Sequence, residues 1–312
     1  MKKLNLPNDR IAYFQHILKN LKFYLASIVA FSIWGSFALV LKPIHCYASL
    51  DILFYRVFSC AVIMSIISIF FKRQKIKENI QLFQSLPKAK KQSIAWLNVG
   101  ASIFLTFNWF SFIYAMNHIT VRATSLAYLI CPILTILLSY FILSEKLNRL
   151  QWFSVLLSTI GCLVLSYSSI INMVYSSIIG LSYAFYLISQ NKNTGFDKFL
   201  VLNFHILLSA LILIPFYPKF AGPIPMEIKF YLYVEIIAVV YTIVPLFLNL
   251  YALSGISSAT VGTILNINPI IAFVLSVTVY HEPLGILQIF AYSIIVIAVI
   301  VFNASRFIRK TT

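Results

Sequence analysis

The chain has 312 residues, of which 61% are hydrophobic and 10% charged, with a net charge of +16 and a mean hydropathy of +0.91. A soluble domain is nearer half apolar and about a quarter charged, so a water-soluble fold is excluded. Long apolar runs, in place of short alternating segments, exclude a transmembrane barrel as well. The positive charge lies in the connections between apolar runs, where it sets topology under the positive-inside rule. Nucleic acid is therefore not an expected partner. Cys46, Cys60, Cys131 and Cys162 lack metal-ligand spacing, and no cofactor is expected.

Taken in order, residues 1–22 form a basic segment without the apolar core of a signal peptide. Within it Ile11, Phe14, Leu18 and Leu21 share one helical face, which suggests either a short interfacial helix or a frayed basic tail. The first span is expected between Lys22 and Lys42 as an uncleaved anchor, and the second over Ile52–Phe71, with Arg56 near its outer end. The basic connection 72–92 places Ile76, Ile80, Phe83 and Leu86 at helical spacing, a second surface helix. Spans three to five are expected over Ile94–Met116, Ala123–Ser144 and Leu150–Ser168. The charge-free run from Arg149 to Lys192 is too long for one span. It must turn near Ser169–Asn172 and continue as a sixth span, Met173–Gln190. The seventh is Phe199–Phe216, followed by a Pro/Gly-rich external loop, Pro218–Pro225. The eighth is Phe230–Leu253, the ninth ends at Tyr280, and the tenth is Leu284–Phe302. With both termini inside, 19 of the 24 Lys and Arg fall on the cytoplasmic side.

The chain repeats itself. Pro132 precedes Glu145 by 13 residues and Gln151 by 19; Pro269 precedes Glu282 and Gln288 by the same intervals. Tyr114-Ala115 and Tyr251-Ala252 keep the same offset of 137. Ser27-Ile28, Ser32 and Lys42 recur at an offset of 150 as Ser177-Ile178, Ser182 and Lys192. The expected fold is an all-α polytopic membrane protein with ten transmembrane helices, arranged as five-helix repeats over 23–168 and 173–303, and a basic cytoplasmic tail over 304–312. Five is odd, so the second repeat enters the membrane inverted, as in secondary transporters with a midplane site.

These residues resemble the EamA-type permeases of the drug/metabolite transporter superfamily, and within it the RarD-like branch. The resemblance rests on Ile33-Trp34-Gly35, Asp51–Arg56, Asn108-Trp109 and Ala115–His118. It continues through Ser125–Pro132, Glu145-Lys146-Leu147 and Gln151-Trp152, and into the second half through Val244-Pro245-Leu246 and Glu282-Pro283-Leu284. It covers nearly the whole membrane region. Ala127 and Cys131 stand where the family usually has Gly and Asn, and Asn191-Lys192 stands where it has an Arg-Lys pair. The resemblance implies a ten-helix permease of the bacterial inner membrane, an exporter of small metabolites.

Several residues are candidates for the substrate site. Arg56 would contact a substrate carboxylate, form a gate pair with Asp51, or anchor a helix end by snorkelling. Asn108, beside Trp109, needs a polar partner in the membrane, either substrate or a neighbouring helix. Asn249, Asn266 and Asn268 raise the same question. Trp34, Tyr128, Tyr186 and Tyr241 are candidate aromatic walls. Pro132, Pro245 and Pro269 each remove a backbone donor and free the carbonyl four residues earlier, at Tyr128, Tyr241 and Leu265. They are candidate kinks or hinges. Glu235 and His205 are candidates for proton coupling. His118, near Arg122, reads as a solvated turn residue. Glu145 and Glu282 read as loop acids that pair with a base or with a helix N-terminus.

The expected function is a secondary transporter of small polar or amphipathic metabolites, such as amino-acid-like compounds or drugs, working by alternating access. The alternatives are an integral-membrane transferase and a passive channel. A transferase would need a nucleophile, carboxylate pair or metal cluster at a membrane face, and none is evident. The expected partners are the small-molecule substrate and the lipid bilayer; a homodimer stays open.

Overall fold

The computed structural model describes residues 6–118, 121–166, 170–281 and 285–308. Every regular element among them is helical. The side chains of His118 and Arg122, and all of Glu282, are outside the described set, as is Ser169 at the start of the expected Ser169–Asn172 turn.

The chain opens with α1 (Leu6–Gly35), one continuous helix where the sequence suggested a surface helix followed by a span. At Gly35, its last residue, α1 passes close to a later helix. A Cβ on Gly35 would lie 2.7 Å from Ile271 Cβ and 3.0 Å from the Asn268 carbonyl oxygen. A short helix α2 (Ala38–Leu41) and a 3₁₀ turn lead to α3 (Ser49–Phe71). The basic connection forms α4 (Arg73–Ser85), which buries no residue fully. Next come α5 (Lys88–His118), α6 (Val121–Leu143) and α7 (Arg149–Ser166).

The second part begins with α8 (Ile170–Lys192) and α9 (Lys198–Leu213). Asp197 caps α9 by accepting from the Phe199 and Leu200 amides. The Pro/Gly-rich loop contains one turn of helix, α10 (Tyr217–Phe220). Then follow α11 (Ile228–Ala238), a π-helical turn over Val239–Ile243, and α12 (Val244–Leu253). The ninth expected span is two helices, α13 (Ser258–Ile264) and α14 (Ile267–Thr278); α15 (Ile286–Ile308) is the last.

Among the described residues, five segments are long and apolar enough to cross a membrane: Asn20–Ile44, Ser49–Phe71, Lys198–Phe220, Ile228–Leu253 and Ser258–Leu275. Shorter apolar helices cover Tyr128–Leu143, Arg149–Leu165 and Ile289–Phe302. Large apolar side chains such as Phe71, Phe141 and Ile300 point outward, a surface suited to lipid rather than water.

Packing joins the early helices to the late ones. α6 runs along α8, α1 along α12 and α14, and α5 against α8 and α9. α7 and α15 form a further pair, with Gly161 pressed on Ile295 and Ala291, and pack on α6 and α13. The Ser154 hydroxyl donates to the Ala298 carbonyl at 2.6 Å, which ties that pair together.

Candidate functional site

A cavity of about 780 Å³ of empty space, partly open to solvent, lies where α1, α3, α5, α6 and α8 meet the π turn, α12 and the start of α14. Each wall has a local cause.

The π turn is one. Pro245 cannot donate to the Tyr241 carbonyl, and the backbone answers by widening to i→i+5 pairing. The Val244 amide bonds Val239, and the Thr242 hydroxyl donates to Ile237 at 2.9 Å. The freed Tyr241 carbonyl accepts from Trp34 Nε1 at 2.8 Å. The Tyr241 hydroxyl lies 3.1 Å from Ser36 Oγ. Trp34 on α1 and Tyr241 on the π turn are thus fixed to each other, and both line the cavity.

Tyr183 on α8 is a second wall. Its hydroxyl accepts from Asn249 Nδ2 at 2.9 Å, and its ring meets Trp34 edge-on at 5.9 Å. Asn108 Nδ2 donates to the Ile179 carbonyl at 2.9 Å and lies 3.2 Å from Ser182 Oγ, tying α5 to α8. Of the two partners the sequence left open for Asn108, a neighbouring helix is present, and the residue also lines the cavity.

Arg56 is the charged element. It lines the cavity, and its guanidinium carbon sits 5.1 Å from the centre of the Trp109 ring. Its Nε is buried without a hydrogen-bond partner. The suggested pair with Asp51 is not formed. Asp51 instead accepts from the Gly222 amide at 2.9 Å and fixes the loop after α10. The snorkelling reading is also not met, since the guanidinium turns inward onto Trp109.

The cavity gathers Trp34, Arg56, Asn108, Trp109, Tyr128, Tyr241 and Asn268 from the sequence candidates. Others lie outside its wall. Tyr186 is fully buried, stacked at 5.8 Å on Tyr183 and edge-on to His205. Asn249 supports Tyr183 from behind. Asn266 is buried and donates to the Thr263 carbonyl at 3.1 Å. His205 is buried, with Nε2 3.0 Å from Asn98 Oδ1. Both Glu235 oxygens accept from the Ser59 hydroxyl, on an exposed flank of α11. Pro132 sits inside an unbroken α6, Pro245 follows the π turn, and Pro269 follows the gap between α13 and α14. Glu145 accepts from the Ser258 and Ala259 amides at 3.0 and 3.2 Å, so it holds a helix N-terminus.

Sequence reasoning missed Tyr183, Phe31, Phe112 and Thr242, all of which line the cavity. Tyr183 had a usable signal, since Asn249 required a polar partner within the membrane. The phenylalanines had none, because aromatic residues make up 16% of the chain.

The sequence profile of the EamA-like transporter family matches the chain twice, over residues 21–167 and 170–304. A Bacillus subtilis protein named "Uncharacterized transporter YojE" is 30% identical over 89% of this chain and 92% of its own length. The Escherichia coli protein RarD is 28% identical over 92% of this chain and 96% of its own length. A solved crystal structure at 14% identity superposes with a TM-score of 0.69, covering 92% of this chain and 97% of the other. That last likeness bears on the fold alone.

Proposed function

This chain belongs to the EamA-like transporter family, and from that premise we propose that it is a secondary transporter exporting small metabolites across the bacterial inner membrane by alternating access. One observation carries the reading. The cavity wall draws on both family-matched stretches: Phe31, Trp34, Arg56, Asn108 and Tyr128 from the first, Tyr183, Tyr241, Leu246 and Asn268 from the second. A site shared between two halves can be opened to either side by rocking one half against the other. The reading includes ten crossings in two inverted five-helix repeats, with both termini cytoplasmic. The shared positive φ of Ser144 (54°) and His281 (52°), again 137 residues apart, supports the repeat.

Chemistry at the site is not required. Among the described residues no three His, Cys, Asp or Glu side chains gather as a metal site. Counterflow in proteoliposomes tests the proposal. Saturable uptake of labelled substrate, driven by unlabelled substrate inside, is expected. Conductance without saturation would make the protein a channel. A reporter fused after Thr312 is expected to read as cytoplasmic.

A further inference from the structure

The cavity contains a cation, Arg56, whose buried Nε has no partner among the described residues. The chain has eight acids, and six have described side chains. Asp51 holds the Gly222 amide, and Glu78 pairs with Lys75 at 2.7 Å. Glu145 caps α13, while Asp197 caps α9 and faces Lys72 at 3.6 Å. Glu227 faces the Tyr47 hydroxyl, and Glu235 accepts from Ser59. None of the six lines the cavity. Arg56 therefore presents a charge to the cavity with no acid to meet it among the described residues.

A guanidinium in an apolar site is costly unless an anion joins it. It offers five donors in a planar fork that matches a carboxylate. Its guanidinium carbon lies over Trp109, 5.1 Å from the ring centre, and its Nε is left free to donate. Trp34, Tyr128 and Tyr183 line the same cavity, and aromatic walls suit a flat apolar body. Arg56 is the one Lys, Arg or His in the described wall, so a second negative charge would stay unmatched. An ammonium group would find no carboxylate there either.

We infer that Arg56 is the anion anchor of this cavity and that its ligand is a monoanion: a carboxylate on an aromatic or otherwise planar apolar body, without an amine. This inference rests on the transporter reading. It narrows the broader expectation of amino-acid-like compounds.

The test uses four ligands with one ring system and different charge: indole-3-acetate, indole-3-acetamide, tryptamine and tryptophan. Binding to the purified full chain in nanodiscs is measured by calorimetry. The acetate is expected to bind at least about 10-fold more tightly than the other three. Arg56→Gln is expected to erase that preference, and Arg56→Lys to retain part of it; size-exclusion profiles confirm that both variants fold. No binding of the acetate, equal binding of the amide, or a preference that survives Arg56→Gln would each overturn the inference. Proteoliposomes separate the two claims. Selective binding without counterflow defeats the transporter reading and leaves the anchor. Counterflow of the amide as fast as the acetate defeats the anchor and leaves the transporter.

Discussion

Around Pro132 the chain runs as one helix from Val121 to Leu143, whereas around Pro269, 137 residues on, it breaks at Leu265 and Asn266 into α13 and α14. The prolines are equivalent in the sequence repeat and each removes the same donor, so proline alone does not decide the outcome. The difference lies three residues earlier. Position 129 is Leu, fully apolar and buried; position 266 is Asn. The Asn266 backbone and side-chain amides both donate to the Thr263 carbonyl, at 3.2 and 3.1 Å. That carbonyl would otherwise accept from Ile267 in a continuing helix. The Asn268 amide then turns back to Leu265 at 3.1 Å, a 3₁₀ pairing that uses the carbonyl Pro269 leaves free. An Asn that offers the backbone a local alternative tips a proline kink into a break. The broken copy sets Leu265 and Asn268 in the cavity wall; the unbroken copy sets Tyr128 and Cys131 there.

Four substitutions break or sharpen this contrast. The largest effect is expected where the two copies touch. A Cβ on Gly262 of α13 would lie 2.9 Å from Thr135 Cβ on α6 and 3.4 Å from the Pro132 carbonyl. Gly262→Val should push α13 away from α6 and destabilise by about 3 kcal/mol, read as a lowered melting temperature in detergent. An unchanged melting curve would mean that the contact is loose. Glu145→Ala removes the carboxylate that joins the end of α6 to the start of α13. It should cost about 1–2 kcal/mol, with faster hydrogen exchange at Ser258 and Ala259 as the local sign.

Asn266→Leu copies Leu129 into the broken segment. Asn266 Oδ1 is buried without a partner, so an apolar residue should gain about 1 kcal/mol. The same change should slow counterflow by restoring a stiffer helix. A variant that transports at the native rate would detach the break from function. The smallest effect is expected at Gly100 in α5, where an added Cβ meets nothing within 4 Å. Gly100→Ala should stabilise by about 0.5–1 kcal/mol and leave transport unchanged, which makes it a control for general helix stiffening.

Much of the helix order was legible because apolar length and loop charge report directly on the membrane as solvent. The boundaries of α3, α6, α7 and α9 fall within a few residues of the expected spans. The continuous α1 was hidden, since a basic amphipathic start and an apolar run look like two elements in sequence. Of the site, the residues that must find a polar or charged partner in an apolar setting stood out: Arg56, Asn108, Asn249 and Asn268. Which partner each would find did not.

The sequence by itself determined that the protein is helical, that its signature recurs at a fixed offset, and that Pro245 frees the Tyr241 carbonyl. Only the tertiary structure decided that Trp34, 207 residues away, takes that carbonyl. Likewise it decided that Asp51 turns to Gly222 and that the Arg56 Nε has no partner among the described residues. Periodicity and hydropathy are local properties of the chain, whereas hydrogen-bond satisfaction in a membrane is settled among helices that meet only after folding.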